Sequence, residues 1–273
     1  MKSIPLLIDF DGVIRLGNKP APDTAEFFNF IKKENIPAFV ISNSTLKTSE
    51  EIKDFFESFD IPFELPAMTA AEITLKYVSD NYKRIKVYCT EHIKKLFNEF
   101  IVEVNPEAVV VGDLEDKWSY DILNEIFREV YAGADFITMQ KNKFWKPDGN
   151  ALCLDAGSFV SAIEYASSKK ALLIGKPSTI YFQTVLKIAH PQTPSQREGI
   201  FKDALSFGEG LGEAFYMLGD DLETDIIGAQ KAGGKGILIY TGKTPYPLDK
   251  NSDVKPDYEV KNLSEAIKLL SSL

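Results

Sequence analysis

The chain has 273 residues, 44% hydrophobic and 26% charged, the balance of a soluble globular protein at a length that suits about two domains. Its 31 Lys and Arg against 40 Asp and Glu leave a formal net charge of −9, which argues against nucleic acid as a partner, because a phosphate backbone is held by clustered Lys and Arg. Two distant cysteines, Cys89 and Cys153, show no CxxC or zinc spacing and suit a reduced, cytoplasmic chain; no apolar run approaches the ~20 residues of a membrane span.

Near the N-terminus, Pro5-Leu6-Leu7-Ile8 runs directly into Asp9-Phe10-Asp11-Gly12-Val13. An apolar run ending in two carboxylates reads as a buried strand that delivers acids to the carboxyl edge of a sheet, where open α/β sheets bind ligands. Residues two apart in extended chain point to one side, so Asp9 and Asp11 can address one group, and Gly12 lets the chain turn sharply. Two close carboxylates repel unless a cation or a proton lies between them, which favours a divalent metal site, an acid/base pair, or both. Taken alone, the pentad is equally well a strand followed by an Asx-type turn.

A helix follows from about Asp23 to Glu34, with Asp23 and Glu26 spaced as a capping box and Phe27, Phe28 and Ile31 at helical spacing. Pro37 to Ile41 is the second strand and leads into Ser42-Asn43-Ser44-Thr45. Thr48 with Glu51 repeats the capping-box spacing ahead of Ile52, Phe55, Phe56 and Phe59, and Thr69 with Glu72 does so ahead of Ile73 and Tyr77. Aromatic residues at this spacing are expected in the core.

Strands are expected at Ile85–Tyr88, Ala108–Val111 and Phe136–Thr138, with a helix marked by Ile122, Leu123, Ile126, Phe127 and Val130. The stretch 146–150 reads as a turn. Lys141-Asn142-Lys143-Phe144-Trp145 suggests either a substrate-reaching loop or, more simply, a core tryptophan beside two solvated lysines. His92 and His190 lie far from any motif and are expected to be structural or on the surface. Gly208 to Gly212 has the wrong spacing for a dinucleotide loop.

Two more apolar runs end in polar motifs ahead of helix-like stretches. Leu172-Leu173-Ile174 enters Gly175-Lys176-Pro177-Ser178, and Tyr216-Met217-Leu218 enters Gly219-Asp220-Asp221-Leu222-Glu223-Thr224-Asp225. Simple alternatives exist for each: Ser42 and Asn43 as a helix cap, Lys176 as a solvated loop lysine, the acidic run as a helix N-terminus. Together, four strand ends carry a carboxylate pair, a hydroxyl/amide cluster, a lysine and a carboxylate cluster. Hard oxygen ligands of this kind suit Mg²⁺, which joins few protein carboxylates to substrate phosphate oxygens.

In order and spacing these four motifs resemble the haloacid dehalogenase (HAD) superfamily of phosphohydrolases, in the subfamily IIA branch of nucleotide and sugar phosphatases, pyridoxal phosphate phosphatase and phospholysine/phosphohistidine/pyrophosphate phosphatase. The likeness extends through Gly133-Ala134-Asp135-Phe136-Ile137, Gly157-Ser158-Phe159-Val160 and Glu164-Tyr165-Ala166. The alternation of strand and helix already points to an α/β fold with a doubly wound parallel sheet. The resemblance implies a Rossmann-like core of residues 1–78 and 172–273 with an α/β cap (C2-type) at 79–171, a segment that holds none of the four motifs. Caps of this branch often dimerise, so a homodimer through the cap is implied as an option.

The resemblance further implies an Mg²⁺-dependent phosphatase acting on a small phosphorylated metabolite. Asp9 would be the nucleophile that forms an aspartyl phosphate and Asp11 the general acid, then base. The ion would be held by Asp9, the Asp11 carbonyl and Asp220, with Asp221 and Asp225 in support. Ser42 and Asn43 would hold phosphate oxygens and Lys176 would neutralise them. A phosphotransferase of the same superfamily, a non-enzymatic aspartyl-phosphate signalling module and, more weakly, a dehalogenase are the alternatives. One departure stands out: His190 to Gly212 is longer than the pattern leads one to expect, and reads as a loop plus a short helix that alters packing or assembly.

Overall fold

The computed structural model describes residues 4–145, 151–189 and 215–273. The turn expected at 146–150, His190 and the long 190–212 segment therefore lie outside the described residues. The apolar runs form two sheets. The larger has six strands in the spatial order 258–260, 235–239, 216–219, 6–9, 38–42 and 67–69. Its central strand, Leu6–Asp9, pairs in parallel with Tyr216–Gly219 on one side and Ala38–Ser42 on the other. All four of its residues are buried, as expected of an uninterrupted apolar run in a parallel sheet. The smaller sheet has four parallel strands, ordered Leu172–Leu173, Asp135–Thr138, Ala108–Val111 and Ile85–Tyr88. This is the α/β, Rossmann-like architecture of parallel strands joined by helices.

The chain falls into two units. The first comprises Met1–Ser42, Lys53–Ala67 and Phe182–Leu273; the second comprises Asn43–Ile52 and Met68–Tyr181. The core of the second packs Val109, Val111 and Phe136 of its sheet against Ile126 and Val130 of helix Tyr120–Ala132 and Val160 and Ile163 of helix Ala156–Ser167. Leu172–Leu173, which precedes the lysine motif, joins this smaller sheet and not the larger one. Among the described residues, no helix is long and apolar enough to cross a membrane.

Helix starts follow their local sequence in two cases out of three. The Thr69 hydroxyl accepts from the Glu72 amide while the Glu72 carboxylate accepts from the Thr69 amide at 3.0 Å, and Thr48 with Glu51 makes the same reciprocal pair. The spare Glu72 oxygen receives the amide and hydroxyl of Ser49 at 3.0 and 2.6 Å. His92 donates to or accepts from Glu51 at 2.9 Å, a structural contact. Asp23, in contrast, caps nothing. Its φ of 65° is left-handed, whereas side-chain capping needs an extended backbone at that position. Its carboxylate accepts instead from the Ser264 hydroxyl at 2.7 Å.

Phe27, Phe28 and Phe56 are buried as their spacing requires, but Phe59 is 43% exposed, because its helix, Ser49–Glu57, has ended. Trp145 is not a core residue either. It sits with Phe144 in a two-residue strand paired antiparallel with Cys153–Leu154, and all four are exposed. Neighbouring Lys141 is not simply solvated, since its ammonium donates to both oxygens of Glu164 at 2.7 Å.

Glu164 is buried in helix Ala156–Ser167 and also accepts from the Ala171 amide at 2.8 Å. Burial pushes its carboxyl up, but Lys141 and that amide outweigh the burial and hold it below the ordinary glutamate value. Glu164→Gln is expected to cost about 1–3 kcal/mol at neutral pH, since the partners are left imperfectly satisfied. A depressed folded-state pKa gives stability that is full above the unfolded carboxylate range and lost as pH falls through the folded value. Parent and variant should therefore converge in acid; urea unfolding at neutral and acidic pH checks both the cost and its loss.

Candidate active site

Asp9 closes the central strand of the larger sheet, at the point where the chain leaves to one side for Ala38–Ser42 and returns on the other for Tyr216–Gly219. Such a switch point is where open parallel sheets form clefts outside their carboxyl ends. Asp220 follows Tyr216–Gly219 directly, and a wide helical turn, Leu222–Ile227, brings Asp225 back towards it. One carboxylate oxygen from each of Asp9, Asp220 and Asp225 lies within 4.8 Å of the others, and all three residues are buried. Three buried acids this close repel one another unless positive charge is shared between them. The donor set, all hard carboxylate oxygen, fits a divalent cation such as Mg²⁺.

The other residues singled out in the sequence take different places. Ser42 ends strand Ala38–Ser42 and is buried. Asp11 lies beyond the strand in the turn, is exposed, and pairs with the Arg15 guanidinium at 2.8 Å. Gly12 makes that turn with φ 86°. Asp221 does not join the three clustered acids. One of its oxygens accepts from the amides of Glu223 and Thr224 at 2.9 and 3.3 Å, and the other meets the Lys243 ammonium. Burial pushes the Asp221 carboxyl up, yet Lys243 and the two amides together hold it below the ordinary aspartate value. In the second unit, the Asn43 side-chain amide donates to the Lys176 carbonyl at 3.2 Å, and Lys176 is buried.

Sequence reasoning missed two features. Arg15 lies with its guanidinium 5.5 Å from the ring centres of both Phe10 and Phe55, which steadies it beside Asp11. The loop after Lys235–Ile239 folds over the acidic cluster: the Thr241 hydroxyl donates to the Gly12 carbonyl at 2.6 Å, the Lys243 amide to an Asp220 carboxylate oxygen at 2.5 Å, and the Thr244 hydroxyl to the Asp220 carbonyl at 2.6 Å. The signal was available, because Ile237-Leu238-Ile239 is another apolar run ending in a polar, glycine-containing stretch, Thr241-Gly242-Lys243-Thr244.

Residues 6–103 match the family model of haloacid dehalogenase-like hydrolases, and residues 173–266 match a second, HAD-hydrolase-like model. The chain belongs to the HAD superfamily of hydrolases, in its subfamily IIA branch. It is 28% identical over 242 residues, 87% of this chain and 84% of the relative, to the haloacid dehalogenase-like hydrolase domain-containing protein 2 of Bos taurus. To the phospholysine phosphohistidine inorganic pyrophosphate phosphatase of Mus musculus it is 25% identical over 272 residues, 97% of this chain and 93% of that one. Its fold matches the crystal structure of a 4-nitrophenylphosphatase from Thermotoga maritima with a TM-score of 0.80, at 25% identity over 98% of this chain and 97% of that chain.

Proposed function

We propose that this protein is an Mg²⁺-dependent phosphatase that hydrolyses a small phosphorylated metabolite, a sugar phosphate, nucleotide or similar phosphomonoester, through an aspartyl phosphate on Asp9. The observation that carries this reading is the buried trio Asp9, Asp220 and Asp225 at the carboxyl edge of adjacent parallel strands. Relatives named as phosphatases support the same class of reaction.

Phosphoryl transfer asks mainly for positioning and charge neutralisation. Asp9 attacks phosphorus as the bond to the leaving oxygen breaks, and Asp11 gives that oxygen its proton. Asp11, now a carboxylate, takes a proton from water, which attacks the aspartyl phosphate, releases inorganic phosphate and restores Asp9. The Asp11 carboxyl is exposed and is positioned by its contact with the Arg15 guanidinium. Ser42 and Asn43 hold phosphate oxygens, and Lys176 balances their charge. Asp9, Asp220 and the Asp11 carbonyl would hold the ion, with Asp225 in support and Asp221 held back by the Lys243 ammonium; when bound, Mg²⁺ supplies charge neutralisation to the phosphoryl oxygens.

Phosphate release from 4-nitrophenyl phosphate, with Mg²⁺ and after chelation, tests the reading. Release that needs Mg²⁺ is expected, together with a rise in the unfolding temperature as the ion binds the folded state. No release across a broad panel of phosphoesters, from a folded protein that binds Mg²⁺, overturns it.

A further inference from the structure

Lys243 touches both members of the adjacent acid pair Asp220-Asp221, by two different groups. Its backbone amide commits one oxygen of Asp220, at 2.5 Å. Its ammonium meets the one oxygen of Asp221 that the Glu223 and Thr224 amides do not use. The loop that carries it is held in place at both ends, by Thr241 on the Gly12 carbonyl and Thr244 on the Asp220 carbonyl. Between them, Gly242 lies so close that a side chain there would strike both the Asp220 carboxylate and the Gly12 backbone. The loop is therefore built against the acidic cluster and not merely near it.

This arrangement limits what the cluster can offer an ion. Asp220 has one oxygen engaged by an amide, which disfavours bidentate binding. Asp221, although next in sequence, has both oxygens engaged. Mg²⁺ is small, keeps several waters and is bound by few, singly coordinating carboxylates, whereas Ca²⁺ takes six to eight oxygens and readily uses bidentate carboxylates. Resting on the metal-dependent reading above, we propose that Lys243 is a metal-selectivity residue: its amide restricts Asp220 to one ligand oxygen and its ammonium withholds Asp221, so that the site suits Mg²⁺ and discriminates against Ca²⁺.

The test is calorimetric titration of the full chain with Mg²⁺ and with Ca²⁺, independent of turnover. Lys243 is largely solvent-exposed in its side chain, so Lys243→Met leaves the fold intact while removing only the ammonium. The ratio of Ca²⁺ to Mg²⁺ affinity is expected to rise about fivefold in Lys243→Met, the scale of one exposed ion pair. Lys243→Arg keeps the parent ratio. Adding Asp221→Asn to Lys243→Met returns the ratio to the parent value, because the freed carboxylate is its source. A ratio in Lys243→Met within about twofold of the parent overturns the proposal, as does a double variant that keeps the shift. A parent protein that binds neither ion sinks the metal-dependent reading as well; a parent that binds Mg²⁺ with an unmoved Lys243→Met ratio sinks only this inference.

Discussion

Asp9→Asn is expected to reduce phosphate release by at least about 10³-fold, the scale on which enzymes lose turnover when the attacking group itself is removed. The change is near-isosteric, so the strand Leu6–Asp9 and its pairing with both neighbours should persist. An amide cannot attack phosphorus, and it also removes one of the three charges that face one another with Asp220 and Asp225. Mg²⁺ affinity should therefore fall together with turnover. Steady-state release from 4-nitrophenyl phosphate, Mg²⁺ titration and far-UV circular dichroism on the same preparation separate the alternatives. A folded variant that still turns over at the parent rate would show that Asp9 is not the nucleophile, and the aspartyl-phosphate route would have to be given up. Loss of Mg²⁺ binding alone, with turnover restored at high Mg²⁺, would leave Asp9 as a metal ligand only.

What could be read from the sequence depended on how local the physics was. Continuous apolar runs such as 6–8, 108–111 and 216–218 announce strands buried on both faces, and polar residues at their ends announce the sheet edge where ligands gather. The boxes at Thr48 and Thr69 are legible because capping is settled within four residues. Asp23 misleads because its left-handed backbone is imposed by the entry of the chain into the helix and not by its own side chain. Leu172–Leu173 announces a strand, but two residues cannot say which sheet will take them. The division of labour between Asp220 and Asp221 is not legible at all. It is decided by Lys243, more than twenty residues away in sequence and brought near by a parallel strand pair. Likewise, Trp145 looks like core by composition, yet it lies exposed in a strand pair only two residues long.

Phe56→Ala is expected to cost about 3–5 kcal/mol, the range for emptying a fully buried aromatic site. Phe56 has no exposed surface. It stacks on Phe63 with ring centres 5.1 Å apart and meets Phe28, Phe55 and Phe10 edge-on at 5.2, 5.1 and 5.9 Å. Edge-on pairs add to area burial by about 0.5–1.5 kcal/mol each, so truncation loses packing and several specific contacts at once. The effect reaches the site, because Phe10 lies between Asp9 and Asp11 and is itself buried against Phe55 and Phe56. Urea unfolding measures the stability loss, with Phe59→Ala as comparison. Phe59 is 43% exposed and should cost under about 1 kcal/mol, as surface substitutions do. Domains commonly hold only about 5–15 kcal/mol in total, so the Phe56 variant should also lose activity at a lower temperature than the parent. Equal costs for the two variants would mean that the aromatic cluster does not anchor the strand end that carries Asp9.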